Sequence, residues 1–489
     1  MTIDAARDTP GRQGDGESDS AALTAAIGAR FERLPLCRWQ VMVRLVVGAV
    51  TFFEAFDQLL IAYALPELRD EWHLGTTQVT ALMTVGSIGM LIGALVSGRL
   101  ADRIGRVKVI AGCIALSGLC NLALTLCTSP EPFMALRLVQ GMAIGGEVPI
   151  AATFIAEITR AHGRGRFVLL YELVFPAGLT AGALLAAWLV PVLGWRWMFG
   201  LAAVPGILCF ALARWVPESP RWLADHGRHD EALATMTSIE QKVEKITGAP
   251  LPSPAPVRPT RPAAGKDGND NGGGVGGGGG VGGGGGGLRE LLTGRYGRRT
   301  LVVGALWFTG YFANYGITSW LPTIYKDHFD LDLSTALLYS TVTSCAGLAG
   351  CLLVALTVDR VGRRNTVIRC MAAAALCLLL LGLTGGGSAA SVLVWTSLAA
   401  VFLFGSNICL YLYTPELFPT RMRALGSSVG GAMNRLGVIL GPIVVGALYA
   451  GGAIGTVFVT LAAVAVAGSL AAAAWAEETS GRTLEDVAP

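Results

Sequence analysis

With 489 residues, 53% of them hydrophobic and only 15% charged, the chain falls well short of the ~25% charge of an ordinary soluble domain. A mean hydropathy of +0.56 excludes one large soluble core, because the apolar residues come in long runs without any charge. The net charge of +3 gives no hint of nucleic acid.

Residues 1–40 are polar and lack the short apolar core of a cleavable signal peptide, so they are expected to form a partly disordered tail. Uncharged runs at 109–129, 173–195, 301–322 and 334–358 are each long enough to cross ~30 Å of hydrocarbon at ~1.5 Å per residue. Those at 370–415 and 436–476 are long enough for two crossings, divided by Gly385-Gly386-Gly387 and by Ala450-Gly451-Gly452. The pattern predicts an all-α membrane protein with twelve spans, near 42–65, 78–98, 107–128, 131–156, 167–191, 196–215, 299–322, 335–358, 364–386, 389–413, 424–449 and 453–475.

Basic residues set the expected orientation. Arg99, Arg103, Arg106 and Lys108 fall between spans 2 and 3, and Arg160, Arg164 and Arg166 between spans 4 and 5. Arg360, Arg363, Arg364 and Arg369 surround the turn between spans 8 and 9, with Arg421 and Arg423 between spans 10 and 11. Alternate loops are short or nearly free of Lys and Arg, so both termini are expected in the cytoplasm and the protein in the plasma (inner) membrane. Between spans 6 and 7, residues 229–247 suit a cytoplasmic helix, 249–262 are Pro-rich and 272–287 are almost pure glycine. That tract reads as a flexible tether; no Lys-Ser/Thr follows it and no strand flanks it, as a phosphate loop would need. The expected organisation is a tail (1–40), a six-helix bundle (41–222), a linker (223–298), a second six-helix bundle (299–476) and a tail (477–489).

The halves carry matching signatures. Gly98-Arg-Leu-Ala-Asp102-Arg103-Ile-Gly105-Arg106 is answered by Ala355-Leu-Thr-Val-Asp359-Arg360-Val-Gly362-Arg363-Arg364, with Asp359 lying 257 residues after Asp102. Glu416 follows Glu157 by 259 residues, each seven before an arginine (Arg423 and Arg164), and Glu478 follows Glu218 by 260. A nearly constant offset across three unrelated motifs marks a parallel 6+6 repeat, whose halves can rock against each other. That points to a transporter rather than an enzyme: no nucleophile triad, metal cluster or nucleotide loop is present, and no cofactor is expected. The ten cysteines show no CxxC or Cys/His ligand spacing. Cys113, Cys120 and Cys127, seven apart, read as small packing residues on one helix face.

From residue 40 to 486 the chain resembles the major facilitator superfamily. The loop between spans 2 and 3, Arg137-Leu-Val-Gln140-Gly141, Pro217-Glu-Ser-Pro-Arg-Trp-Leu and Glu478-Thr-Ser-Gly-Arg-Thr-Leu-Glu485 are similar to sugar porters and their organic-ion relatives. Span 7, Trp307-Phe-Thr-Gly-Tyr311-Phe-Ala-Asn314-Tyr315-Gly316, departs from the sugar-porter pattern. Tyr411-Leu-Tyr413-Thr-Pro415-Glu416 and Asn434-Arg435 resemble the branch that carries aromatic acids, nicotinate and similar metabolites with protons, related to synaptic-vesicle-type transporters.

The charges divide into two sets. Asp102, Arg106, Glu157, Arg164, Glu218 and Arg221, with Asp359, Arg363, Glu416, Arg423, Glu478 and Arg482, lie at expected cytoplasmic helix ends. There they either latch the inner side by pairing across helices or simply set topology; the matched spacing favours a gate. Ionisable groups within spans are costly and usually functional. Glu54 and Asp57 share a face of span 1, and Asp57 sits about 22 Å from the inner surface, while Arg137 on span 4 is about 9 Å from the outer one. In a core of ~30 Å these depths coincide, so the two can meet, as a proton-coupling pair or a static ion pair. Resemblance to proton-coupled relatives implies coupling; Glu54 stands where aromatic-acid symporters more commonly have Asp.

Arg435, roughly 17 Å deep in span 11, has no acidic neighbour at i±3 or i±4 and suits a substrate carboxylate, with a cross-helix pair to Glu54 as the competing idea. Tyr311, Asn314 and Tyr315 share one face of span 7, Asn407 and Tyr411 one face of span 10; with Asn434 they suit a small planar acid. Glu147 and Glu172 either relay a proton or pair with loop arginines. The expected activity is proton-coupled symport of an aromatic or heteroaromatic carboxylate by alternating access, in a monomer whose partners are the anion, protons and lipid. A sugar or polyol porter, a proton-driven exporter and a non-transporting ligand sensor are the alternatives.

Overall fold

The computed structural model describes residues 23, 26–35, 37–158, 173–253, 291, 293–419, 422–452 and 454–480, apart from some side chains within helices, Glu157 and Arg423 among them. All regular structure among these residues is helical. The first half contains α1 (Arg38–Trp72), α2 (Thr76–Ile104), α3 (Arg106–Leu124), α4 (Pro130–Ile158), α5 (Val174–Leu193), α6 (Trp195–Ala203) and α7 (Leu208–Trp215). Two short connecting helices follow, α8 (Pro220–Asp225) and α9 (His229–Thr247). The second half contains α10 (Gly294–Thr318), α11 (Leu321–Asp327), α12 (Leu333–Val361), α13 (Arg363–Leu383), α14 (Ala389–Glu416), α15 (Arg423–Ala450) and α16 (Ile454–Trp475).

Among the described residues, nine helices are long and apolar enough to cross a membrane: α1, α2, α3, α5 and α12 to α16. Their outer faces carry bare hydrophobic side chains, Leu119, Trp188, Leu356 and Leu470 among them, as lipid rather than water would require. α4 and α10 have the length, and carry the polar groups taken up below. Span 6 departs from expectation. It is α6 and α7 joined by a 3-10 turn at Val204–Ile207, because Pro205 has no N–H to donate and Gly206 lies against Gly118 of α3. α1 also runs further than expected, through Pro66 to Trp72, and stops where His73 turns left-handed (φ 51°).

Within each half, close helix contacts depend on missing side chains. A Cβ on Gly93 of α2 would sit 2.0 Å from the Met142 carbonyl of α4, and one on Gly350 of α12 would sit 2.0 Å from the Val401 carbonyl of α14. The repeat is thus visible in packing as well as in motif spacing. The halves meet along α5 and α12, α2 and α15, and α1 and α11. Thr341 Oγ1 donates to the Ala183 carbonyl at 3.0 Å, and Tyr63 and Ser344 share a 3.3 Å hydrogen bond. Arg69–Asp327 and Lys326–Asp70 ion pairs join α1 to α11 at the end of the molecule opposite the Gly105 and Gly362 turns.

A second apolar core lies beside the Gly105 turn. Ile27, Phe31 and Leu34 pack with Trp222, Leu223, Met236, Ile239 and Val243. Arg30 and Arg33 each reach Glu240 of α9 at 2.6 Å. Burial alone would raise the Glu240 carboxyl, but the hydrogen bonds from Arg30 and Arg33 outweigh it and hold it below its ordinary value. The contact is therefore at full strength above the ordinary carboxylate range and is lost as pH falls through the depressed value. Removing one partner of such a part-buried, charge-assisted contact costs about 2 kcal/mol. Glu240→Ala should then speed tryptic cleavage after Arg30 and Arg33 by about 30-fold at neutral pH. Cleavage at the wild-type rate would mean that the apolar contacts alone hold residues 26–35 in place.

Candidate functional site

Two cavities open between the helices. The first lies within the first half and encloses about 410 Å³ of space, in part open to solvent. Glu54, Asp57, Cys113, Ser117, Glu147 and the Pro205–Gly206 break line it. Asp57, 4% exposed, receives three hydrogen bonds on one oxygen: from Asn121 Nδ2 at 2.9 Å, Gln140 Nε2 at 2.8 Å and Ser117 Oγ at 3.3 Å. Its other oxygen, Oδ1, has no hydrogen-bond partner.

Asp57 and Arg137 come together, but through an intermediary. Arg137 Nη1 donates to Gln140 Oε1 at 2.8 Å, and the Gln140 amide then donates to Asp57. A Cβ on Gly86 would come within 3.1 Å of the Arg137 guanidinium, so this glycine makes room for the charge. Gln140 was visible in the sequence as part of the Arg137-to-Gly141 motif. Asn121 and Ser117 were not singled out. Their signal was an amide and a hydroxyl at i and i+4, on the same face as Cys113, in an otherwise apolar helix.

The second cavity lies between the halves and encloses about 380 Å³, in part open to solvent. Five expected binding residues line it: Tyr311, Asn314 and Tyr315 from α10, Asn407 and Tyr411 from α14. Phe175, Pro176 and Leu179 of α5 form its opposite wall; sequence reasoning did not single them out, because their apolar run looks like any other span. The rings form a graded stack on successive turns: Trp307 and Tyr311 lie 5.5 Å apart and Tyr311 and Tyr315 6.0 Å, both stacked, while Trp307 meets Tyr411 edge-on at 4.7 Å. Tyr311 donates to the Tyr411 hydroxyl at 3.2 Å. The Asn407 amide, Asn314 Oδ1 and the Tyr315 hydroxyl are buried without hydrogen-bond partners among the described residues. Unsatisfied polar atoms beside stacked rings fit a small planar molecule with hydrogen-bonding groups at its edge.

Arg435 lies beside these linings, on α15, while its neighbour Asn434 is buried and belongs to neither. Arg435 is half-buried; its Nη1 approaches Met90 Sδ of the other half at 3.3 Å, and its charge acts on both Glu54 and Tyr315. It therefore stands between the two cavities. Cys113 and Cys351 sit in the two cavity walls, and no group of three or more metal-ligating side chains occurs among the described residues.

The gate residues are arranged differently from expectation. Glu218 does not reach for an arginine side chain; it accepts from the backbone N–H of Arg106 at 3.0 Å and of Val107 at 3.2 Å, at the start of α3. Glu478 does the same for Arg363 at 2.8 Å, at the start of α13. A helix N-terminus offers unpaired N–H groups and a positive dipole end, which a carboxylate satisfies directly. Gly105 and Gly362 have positive φ (113° and 89°), and a Cβ on either would fall within 2.5 Å of the capping carboxylate, so both motifs require glycine there. Asp102 pairs with Arg106 and Asp359 with Arg363 along one turn, and Arg363 also reaches Glu416 at 3.3 Å. Arg221 lies over the Phe31 ring, 5.7 Å from its centroid. These described pairs act within one half or the other. Arg164, Glu172 and Arg482 lie outside the described residues, as do the side chains of Glu157 and Arg423.

One cluster was missed. Glu477 binds Arg299 at 2.5 Å and Arg295 at 2.9 Å, and its backbone carbonyl accepts from Tyr413. Burial opposes its charge, but the two arginines prevail and pull it down to about 2, so it stays ionised in any physiological medium.

Comparison with known proteins places this architecture. Residues 47–423 match the Major Facilitator Superfamily. The niacin transporter NiaP of Acinetobacter baylyi is 31% identical over 461 residues, which cover 94% of this chain and 99% of that protein. The synaptic vesicle 2-related protein of Rattus norvegicus is 27% identical over 481 residues, covering 93% and 81%. A crystal structure of a D-xylose-proton symporter superposes with a TM-score of 0.65 at 20% identity, covering 90% of this chain and 99% of the other. At that identity the likeness speaks for the fold alone.

Proposed function

The chain belongs to the Major Facilitator Superfamily and is a multi-pass membrane transporter rather than an enzyme, and from that premise we propose that it moves a small aromatic or heteroaromatic carboxylate together with protons. The two bundles, 41–222 and 299–476, rock about the cavity between them, with 223–298 as the connecting linker. The positive-inside pattern supports cytoplasmic termini in a plasma-membrane protein, an orientation in which the Arg69–Asp327 and Lys326–Asp70 pairs close the outer side.

One observation carries the substrate class: the cavity lined by the stacked rings of Tyr311 and Tyr315 beside the unsatisfied Asn407 amide and Asn314 Oδ1. Arg435 adjoins it and supplies a fork for a carboxylate. That a relative at 31% identity is named a niacin transporter supports the same class, nicotinate being a heteroaromatic acid. The buried amides also favour a second reading, since they would bind the hydroxyls of a sugar or polyol.

Competition for uptake separates the two. In proteoliposomes loaded by radiolabelled nicotinate, unlabelled benzoate and 4-hydroxybenzoate should compete, while glucose and xylose should not. Uptake of glucose without uptake of any of the acids would transfer the protein to the sugar reading.

A further inference from the structure

The first cavity holds two acids besides Asp57, and their surroundings differ from its own. Glu54 on α1 and Glu147 on α4 turn their carboxyl groups towards each other. Glu147 is 2% exposed and Glu54 8%. Among the described residues, neither oxygen of Glu147 has a hydrogen-bond donor, nor has Glu54 Oε2. One turn along α1, Ser117, Asn121 and Gln140 all donate to Asp57.

Donors gathered around a carboxylate favour its charged form; two carboxylates facing each other without donors repel. One proton held between them converts that repulsion into an O–H···O hydrogen bond. Cys113 of α3 faces the pair, and from the second half Arg435 of α15 and Tyr315 of α10 face Glu54. Arg435 is the one cation in that set.

We propose that Glu54 and Glu147 form a second proton-carrying site, separate from Asp57, which loads when a substrate carboxylate engages Arg435. The proposal rests on the proton-coupled anion reading above. With no anion bound, the Arg435 charge draws on Glu54 and favours release of the proton. With a carboxylate on its guanidinium, that pull is neutralised and the pair holds the proton. The two events are linked reciprocally, so each makes the other more favourable. The proton enters from water on the side open during loading and leaves to water on the other side, and no other bond is made or broken. Because Arg435 belongs to the opposite half, rocking of the halves changes its distance from the pair.

The test compares proton and nicotinate fluxes in proteoliposomes, with a trapped pH-sensitive dye and radiolabelled nicotinate. Glu147→Gln leaves Glu54 beside an amide donor, so the pair no longer takes up a proton. The proton-to-nicotinate ratio should then fall about twofold from wild type, with Asp57 still coupled. An unchanged ratio would overturn the proposal. If the variant is inserted but transports nothing, infrared titration of the purified protein decides the matter. Nicotinate should raise a carboxylic-acid C=O band in wild type that Glu147→Gln lacks; the same band in both proteins would overturn the proposal. Failure of the underlying reading looks different, because wild-type uptake would then move no protons at all.

Discussion

Asp57→Asn should lower proton-driven accumulation of substrate about tenfold per pH unit of gradient while leaving the protein folded and inserted. The amide oxygen of Asn can still accept from Asn121, Gln140 and Ser117, so the hydrogen-bonded cluster that fixes α1 to α3 and α4 keeps its acceptor. What it cannot do is exchange a proton. Each proton coupled to a substrate supports about tenfold accumulation per pH unit of gradient, and the variant forfeits that factor. Exchange of labelled for unlabelled nicotinate at equal pH needs no net proton movement and should survive. Accumulation in Asp57→Asn at the wild-type level would remove Asp57 from the coupling mechanism. Loss of exchange together with accumulation would make Asp57 a structural residue.

Arg435→Gln should raise the half-saturating nicotinate concentration by about 100-fold. A charge-assisted, bidentate contact in a partly desolvated site contributes about 3 kcal/mol, which converts to that factor. Arg435→Lys keeps the charge but loses the planar fork, and should fall between the two. The contrasting outcome is an unchanged half-saturation with a reduced maximal rate. It would assign Arg435 to the movement of the halves, through Glu54 and Met90, instead of to substrate.

Residue types and spacing were enough to read the architecture. The repeated Asp-Arg-x-Gly-Arg turn recurs in the structure as two equivalent caps, Glu218 on α3 and Glu478 on α13. The helical face shared by Tyr311, Asn314 and Tyr315 meets that of Asn407 and Tyr411 across one cavity. What spacing could not convey was partner choice. A carboxylate three residues from an arginine looks like an ion pair, yet Glu218 takes two backbone N–H groups, because a helix start offers them at closer range than a long flexible side chain does. Likewise helix depth brings Asp57 level with Arg137 but carries no sign of the Gln140 that stands between them.

The break in span 6 was the other blind spot. Pro205-Gly206 lies in an uncharged stretch, and such pairs are tolerated in spans without interrupting them. Here the turn forms one wall of the first cavity, so a backbone feature shapes the site as much as any charge does. Glu147 and Glu54 illustrate the same limit. They are 93 positions apart on different helices, and only the packing of α1 against α4 makes them a pair.

The central claim, coupling of an aromatic acid to protons, is tested most directly by accumulation. Purified protein in liposomes would be given labelled nicotinate outside under an inward-directed pH gradient, with and without a protonophore. The account predicts internal nicotinate rising above the external level and collapsing when the protonophore dissipates the gradient. Nicotinate that only equilibrates, at the same rate with the gradient present or absent, would contradict it.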